Sequence, residues 1–205
     1  MSKRRIGFLH PASFYHLADL ADPAVRAWNI VDCYAPELQA ADLERLDSLY
    51  VASRQHPVTM HALAPLVLDF VNTPGKKVFI GGENQVGSWL PGVREEYRET
   101  NFWAWRTGED LGRRNKNPGN PLWQYLNDEA LHWHFHGALF GPAGAVSLVD
   151  LDEGLPVNGS ILYHDDASYA GEVVVTTMDP DYHHGAGFMP GATQLLYRML
   201  QWLGS

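Results

Sequence analysis

The chain has 205 residues, 45% of them hydrophobic and 19% charged, a composition that fits one globular domain and excludes a disordered chain. Lys and Arg number 15 against 24 Asp and Glu, a formal charge of −9. The one basic concentration (Arg113, Arg114 and Lys116) reads as a solvated loop, so nucleic acid is not an expected partner. No apolar run reaches the roughly 18 residues of a membrane span, and the stretch after Arg5 is too short for a signal-peptide core. A single cysteine, Cys33, permits neither an intrachain disulfide nor a Cys-based zinc site, so a protein of the reducing cytoplasm is expected.

In chain order, residues 6–10, 28–34 and 46–52 read as short, continuous apolar strands buried on both faces. Asp22-Pro23 is a helix start, with Asp as cap and Pro in the first turn. Residues 38–46 form a short amphipathic pattern. Helical spacing runs over 58–71, through Met60, Leu63, Leu66, Val67, Phe70 and Val71, with Pro65 in conflict. Residues 77–81 are a fourth strand. This alternation predicts a parallel sheet with helices on both faces. Residues 83–130 break the pattern and hold four of the seven tryptophans, Trp89, Trp103, Trp105 and Trp123. The segment reads as an ordered insertion at the carboxyl edge of the sheet, packed on its own chain or on a second copy. Asn120-Pro121 opens a short helix. Residues 131–139, 160–163 and 172–177 read as strands, and 189–203 as a closing amphipathic helix. The whole of 1–205 is expected to be one domain.

In an open parallel sheet, ligands bind beyond the carboxyl ends of the strands. The polar residues there are His10 and Ser13, then Ser53, Arg54, Gln55 and His56, then Glu83, Asn84 and Gln85, and finally Asp179, Asp181, Tyr182, His183 and His184. Either they converge on one cleft or they are polar because such loops are exposed. In Leu131-His132-Trp133-His134-Phe135-His136, a strand would project three imidazoles from one face. His-x-His is workable metal-ligand spacing. A two-faced strand with Trp133 and Phe135 in the core explains the pattern equally, and the metal-free reading is preferred. Cys33 reads as a buried small hydrophobe, and no G-x-S-x-G, P-loop or G-x-G-x-x-G is present. The pairs Asp165-Asp166 and Asp150/Asp152 read as turn residues.

The stretch from Gly171 to Pro190, with its G-E-V-V-V-T-T strand and His-bearing loop, resembles the end of class I glutamine-amidotransferase-like domains, closest to the ThuA-like (trehalose-utilisation) branch. The early strand order, Trp133-His134-Phe135-His136-Gly137 and Leu200-Gln201-Trp202-Leu203 agree with it. The resemblance implies a flavodoxin-like, three-layer α/β sandwich with a mainly parallel central sheet. True amidotransferases carry a cysteine at the turn after the strand that is 77–81 here, where this chain has Gly81-Gly82-Glu83-Asn84-Gln85. The family's His-Pro-Glu is also replaced, by His183-His184-Gly185. Glutaminase activity is therefore not expected.

What remains is an amidotransferase-like protein that acts on or binds a small polar molecule, a sugar derivative by the family's loose association. Glu83 and His183 are the candidate catalytic groups. His10, Arg54, Asn84, Trp103, Trp105, His134, His136, Asp181 and His184 are candidate ligand contacts. The alternative is a non-catalytic binding or assembly module in which the Trp-rich segment makes a homo-oligomer contact. Metal-dependent hydrolysis through the histidines, with zinc, is the minority reading. No other cofactor is expected.

Overall fold

A computed structural model describes residues 4–98, 100–152 and 159–205. The elements in chain order are β1 (Ile6–His10), α1 (Phe14–Ala21), α2 (Pro23–Arg26), β2 (Ile30–Tyr34), α3 (Ala40–Glu44), β3 (Ser48–Val51), α4 (Pro57–Val71) and β4 (Lys77–Ile80). There follow β5 (Arg94–Tyr97), α5 (Ala104–Thr107), β6 (Arg113–Asn115), α6 (Asp128–Leu131), β7 (Gly137–Phe140), β8 (Val146–Leu151), β9 (Gly159–Asp165), β10 (Glu172–Thr176), α7 (Pro180–Gly185) and α8 (Pro190–Leu203).

The strands form one sheet in the order β2-β1-β3-β4-β10-β9-β7-β5, with β8 pairing β9 and β6 pairing β8. Pairing is parallel across β2-β1-β3-β4-β10 and antiparallel beyond. The α/β sandwich is thus the one the strand–helix alternation predicts. β1, β3 and β9 are buried at every position, as continuous apolar runs require of strands covered on both faces. β2 is the exception. It is the sheet edge, and only Cys33 of its five residues is buried.

One core lies between the sheet and α8, where Ile6, Phe8, Tyr50 and Phe79 meet Leu195, Leu196, Met199 and Leu203. The other lies under α4, where Leu9, Leu49, Val51 and Ile80 meet Met60, Leu63, Val67 and Val71. Helix α4 runs through Pro65, whose missing N–H falls on the exposed side of the helix. The Asp22 carboxylate caps α2 through Ala24 N at 2.9 Å.

Three expectations change. Residues 131–139 are not one strand: α6 ends at Leu131, residues 132–136 run as a connection, and β7 begins only at Gly137. The segment 83–130 is not merely laid beside the sheet, because it contributes β5 and β6 to it. Strand β8 carries an alternating V-S-L-V-D-L pattern that the chain-order reading passes over. Within the Trp-rich segment, Trp89 is buried, Trp105 and Trp123 pack on the α8-side core, and Trp103 is 53% exposed. No helix among the described residues is long and apolar enough to cross a membrane.

Candidate metal centre

The turns after the parallel strands are sharp and tied together. Ala12, Arg54 and Glu83, which follow β1, β3 and β4, all have φ near +60°, a region non-glycine residues rarely occupy and one that clusters at functional sites. Gly82 N donates to Met178 O (2.7 Å), Arg54 N to Gly82 O (3.2 Å) and His136 N to Thr177 O (3.1 Å). A Cβ on Gly82 would stand 2.6 Å from the Thr177 carbonyl, so only glycine permits this approach. These contacts bring the turns bearing Arg54, Glu83 and Asp179 against the connection bearing His134 and His136.

His134, His136, Asp179 and His183 meet there, each offering one ligand atom, all within 4.8 Å of one another. Asp179 precedes α7 and His183 lies one turn into it, so both face inward. His183 Nε2 is 3.0 Å from Asp179 Oδ1, His136 Nε2 is 3.2 Å from it and His134 Nε2 is 3.9 Å from it. His134 Nε2 lies 2.6 Å from His183 Nε2. Arg54 donates through Nε (2.9 Å) and Nη2 (2.8 Å) to Asp179 Oδ2. That leaves Oδ1 to the imidazoles, and neither it nor His136 Nε2, both buried, makes a hydrogen bond of acceptable geometry. Buried polar atoms without partners are rare in native structures. These converge on one point.

Electrostatics favour the ligating forms. Burial pushes the His134 imidazole down to about 3, so it is neutral near pH 7. Burial alone would raise Asp179, but the nearby His136 and His183 hold it well below the usual carboxylate range, so it is ionised. Aromatic rings wall the imidazoles: Phe102 is 5.1 Å from His134, and Phe188 and Trp133 are 4.8 and 5.4 Å from His183 between ring centroids. Glu83 stands on the open side, with Oε1 3.5 Å from His136 Nδ1 and Oε2 2.8 Å from Arg54 Nη2.

The candidates inferred from sequence divide. Glu83, Arg54, His134, His136 and His183 come together. Trp103 is one ring removed, 5.0 Å from Phe102. The others lie outside the cluster. His10 pairs with Asp32 at 2.8 Å. The Asn84 side chain ties its own turn to Ala52 O, Gly81 O and Gln55 N. Trp105 packs on the core. His184 bonds Asp22 and Thr193 at 2.9 Å. Asp181 accepts from Tyr50 Oη, Ser53 N, Ser53 Oγ and His16, and so braces the turn that presents Arg54. His132 turns away and accepts from Arg113 at 3.0 Å. Asp179 is the residue that sequence reasoning placed on this edge without a role. Its spacing of four from His183, across a helix-opening proline, is the signal that marks it.

No protein-family model matches this sequence, and no curated protein is found similar to it. Solved structures do match in fold. A protein of Thermoplasma acidophilum titled as a GMP synthase component superposes with a TM-score of 0.61 at 9% identity, over 98% of this chain and 94% of that one. The glutaminase domain of Trypanosoma brucei CTP synthase gives 0.51 at 11% identity, over 98% and 95%. The mmIFT52 N-terminal domain gives 0.55 at 14% identity, over 97% and 96%. The chain therefore has the class I glutamine-amidotransferase-like fold.

Proposed function

We propose that this chain is a metal-dependent hydrolase of a small polar molecule, built on an amidotransferase-like fold and lacking glutaminase activity. The observation that carries the reading is the convergence of three imidazole Nε2 atoms and Asp179 Oδ1, two of the four without any other partner. Tetrahedral zinc with bonds of about 2.0–2.2 Å sets its ligand atoms roughly 3.3 Å apart. The separations within the cluster run from 2.6 Å up to 4.8 Å and bracket that value. Three neutral imidazoles and one carboxylate suit zinc and related divalent transition metals. This prefers the metal-bearing reading over the metal-free one, because a strand face of histidines would need no buried carboxylate aimed at them.

Four protein ligands alone would close a tetrahedral site, so hydrolytic chemistry would need a coordination position beyond them, at which a divalent metal would polarise a carbonyl and lower the pKa of water. Asp179 supplies the negative charge, and Arg54 holds its other oxygen so that only Oδ1 faces the imidazoles. Glu83 orients His136 through Nδ1, which leaves Nε2 as the ligating atom. On the groove side, the Glu83 carboxylate would accept the proton of an attacking water and return it to the leaving group, so that water would be the only co-reactant. The cysteine chemistry of glutamine hydrolysis has no counterpart: Cys33 is buried in the edge strand, and burial pushes its thiol up to about 12.

The test is metal analysis of protein purified without an affinity tag. Near-stoichiometric divalent transition metal, lost in His134→Ala and in Asp179→Asn while far-UV circular dichroism is kept, is the expected result. Metal content that stays negligible after incubation with zinc overturns the reading.

A further inference from the structure

From the open side of the cluster a groove of about 490 Å³ runs outward, lined by Glu83, Gln85, Ser88, Glu95, Tyr97 and His136. Its volume lies within the roughly 300–1,000 Å³ typical of small-molecule sites. It reaches the cluster through His136, whose ring also faces the buried Asp179 at 3.2 Å. The charges along it are of one sign. Two carboxylates line the groove, and no Lys or Arg does among the described residues. Arg54, the nearest cation, is held by both Asp179 and Glu83. Arg94 is turned onto Glu96 and over the Phe140 ring.

We propose that this groove admits uncharged or cationic molecules rich in hydrogen-bond donors, polyols or amines, with Glu95 as their principal acceptor, and turns away phosphorylated and carboxylated ones. The proposal rests on the hydrolase reading above and names its substrate class. The charge of a bound metal and of Arg54, which pairs with Glu83, is confined to the inner end; farther out, an anionic group would meet Glu95 with no Lys or Arg in the described lining to offset it. A hydroxyl or ammonium group instead adds to the weak supply of donors at Glu95, which the protein meets through the backbone of Gly87, at a long 3.5 Å, and of Val86, with no side-chain donor among its described hydrogen bonds. Burial raises the Glu95 pKa, and a donor at this position would offset that cost. Ser88 Oγ, which donates to Gln85 O and lies 3.2 Å from His61 Nε2, adds a neutral polar wall. Tyr97, 67% exposed, offers its ring face at the mouth, a surface that suits the apolar side of a polyol or a cation.

The experiment uses Co²⁺-loaded protein and three matched short hydroxamates ending in an ammonium, a hydroxyl or a carboxylate, with binding read from the change in the Co²⁺ ligand-field band. The ammonium and hydroxyl forms are expected to bind at least about tenfold more tightly than the carboxylate form. An ammonium advantage over hydroxyl identifies amines, and equality of the two identifies polyols. Glu95→Gln should erase most of the discrimination against carboxylate while the Co²⁺ band persists. In the unaltered protein, the same discrimination should shrink as salt rises. A carboxylate form that binds as tightly as the others, or discrimination indifferent to both salt and Glu95→Gln, overturns the substrate class and leaves the metal reading standing. Absence of any Co²⁺ band overturns the metal reading itself and this inference with it.

Discussion

At the scale of single residues, the proposed function gives Asp179 a part beside Glu83 and His183, the two groups that the sequence singles out. Asp179 is fully buried, doubly bonded to Arg54 through one oxygen and open through the other. Glu83 holds the far side of His136. Removing such an outer carboxylate costs roughly 10–100-fold in metal affinity. Glu83→Gln should therefore weaken metal binding by about that factor, measured by competition against a chromophoric chelator, and an unchanged affinity removes Glu83 from the positioning role. Another buried carboxylate, Asp19 on α1, has neither oxygen hydrogen-bonded, with His184 Nε2 3.9 Å from Oδ1. Burial, followed by Asp181 and Asp22, pushes its pKa up to about 10. Since the folded value lies above the unfolded one, Asp19 costs nothing while both states are protonated. Stability then falls as pH climbs from about 4 to about 10, because only the unfolded chain releases the proton. Asp19→Asn should raise the Tm at about pH 8 and leave it nearly unchanged at about pH 4. Calorimetric scans at the two pH values check this, and a loss of stability at the higher pH would contradict it.

At the scale of elements, the turn after β4 decides whether the site exists. Gly82 lies against the carbonyls of Thr177 and Met178, so the Glu83 turn and the Asp179 turn are one packed unit. Gly82→Ala forces backbone against backbone and should cost about 1–3 kcal/mol, the usual range for overpacking. Denaturant unfolding measures the loss, and metal content should fall with it because Asp179 and His136 shift together. A variant of wild-type stability and full metal content would show the turns to be independent. The same elements show where sequence reading succeeds. Strands β1, β3, β4 and β10 are legible because strands covered on both faces must be continuously apolar. Strands β5 (R-E-E-Y) and β6 (R-R-N) are not, since they carry almost no apolar residue and exist only because β7 and β8 offer free edges. The H-W-H-F-H alternation mimics a strand. Its backbone instead crosses to the β10 turn, where His136 N meets Thr177 O, so His134 and His136 share a side while His132 departs to Arg113.

At the scale of the whole molecule, the amidotransferase-like fold is present, and the proposed function places no cysteine chemistry on it. Incubation with glutamine should release no ammonia above background. Release that disappears in Cys33→Ser would contradict this, although Cys33 lies buried in the sheet-edge strand β2 and outside the cluster at the carboxyl edge. The sequence by itself determined the sandwich, and it named at the carboxyl edge most of the polar groups that the structure brings together, Arg54, Glu83, His134, His136 and His183. These follow from local pattern: apolar runs, helix-opening prolines and residue identity at strand ends. Only the tertiary structure decided that Asp179 and not Asp181 joins the histidines. The two carboxylates lie two residues apart at the start of one short helix. One is directed toward His136 and Arg54, the other toward Ser53 and Tyr50. The spacing of four from His183 marks Asp179, but the direction each carboxylate takes also depends on contacts with residues between 43 and 165 positions away in sequence, and no local pattern encodes a convergence of that range.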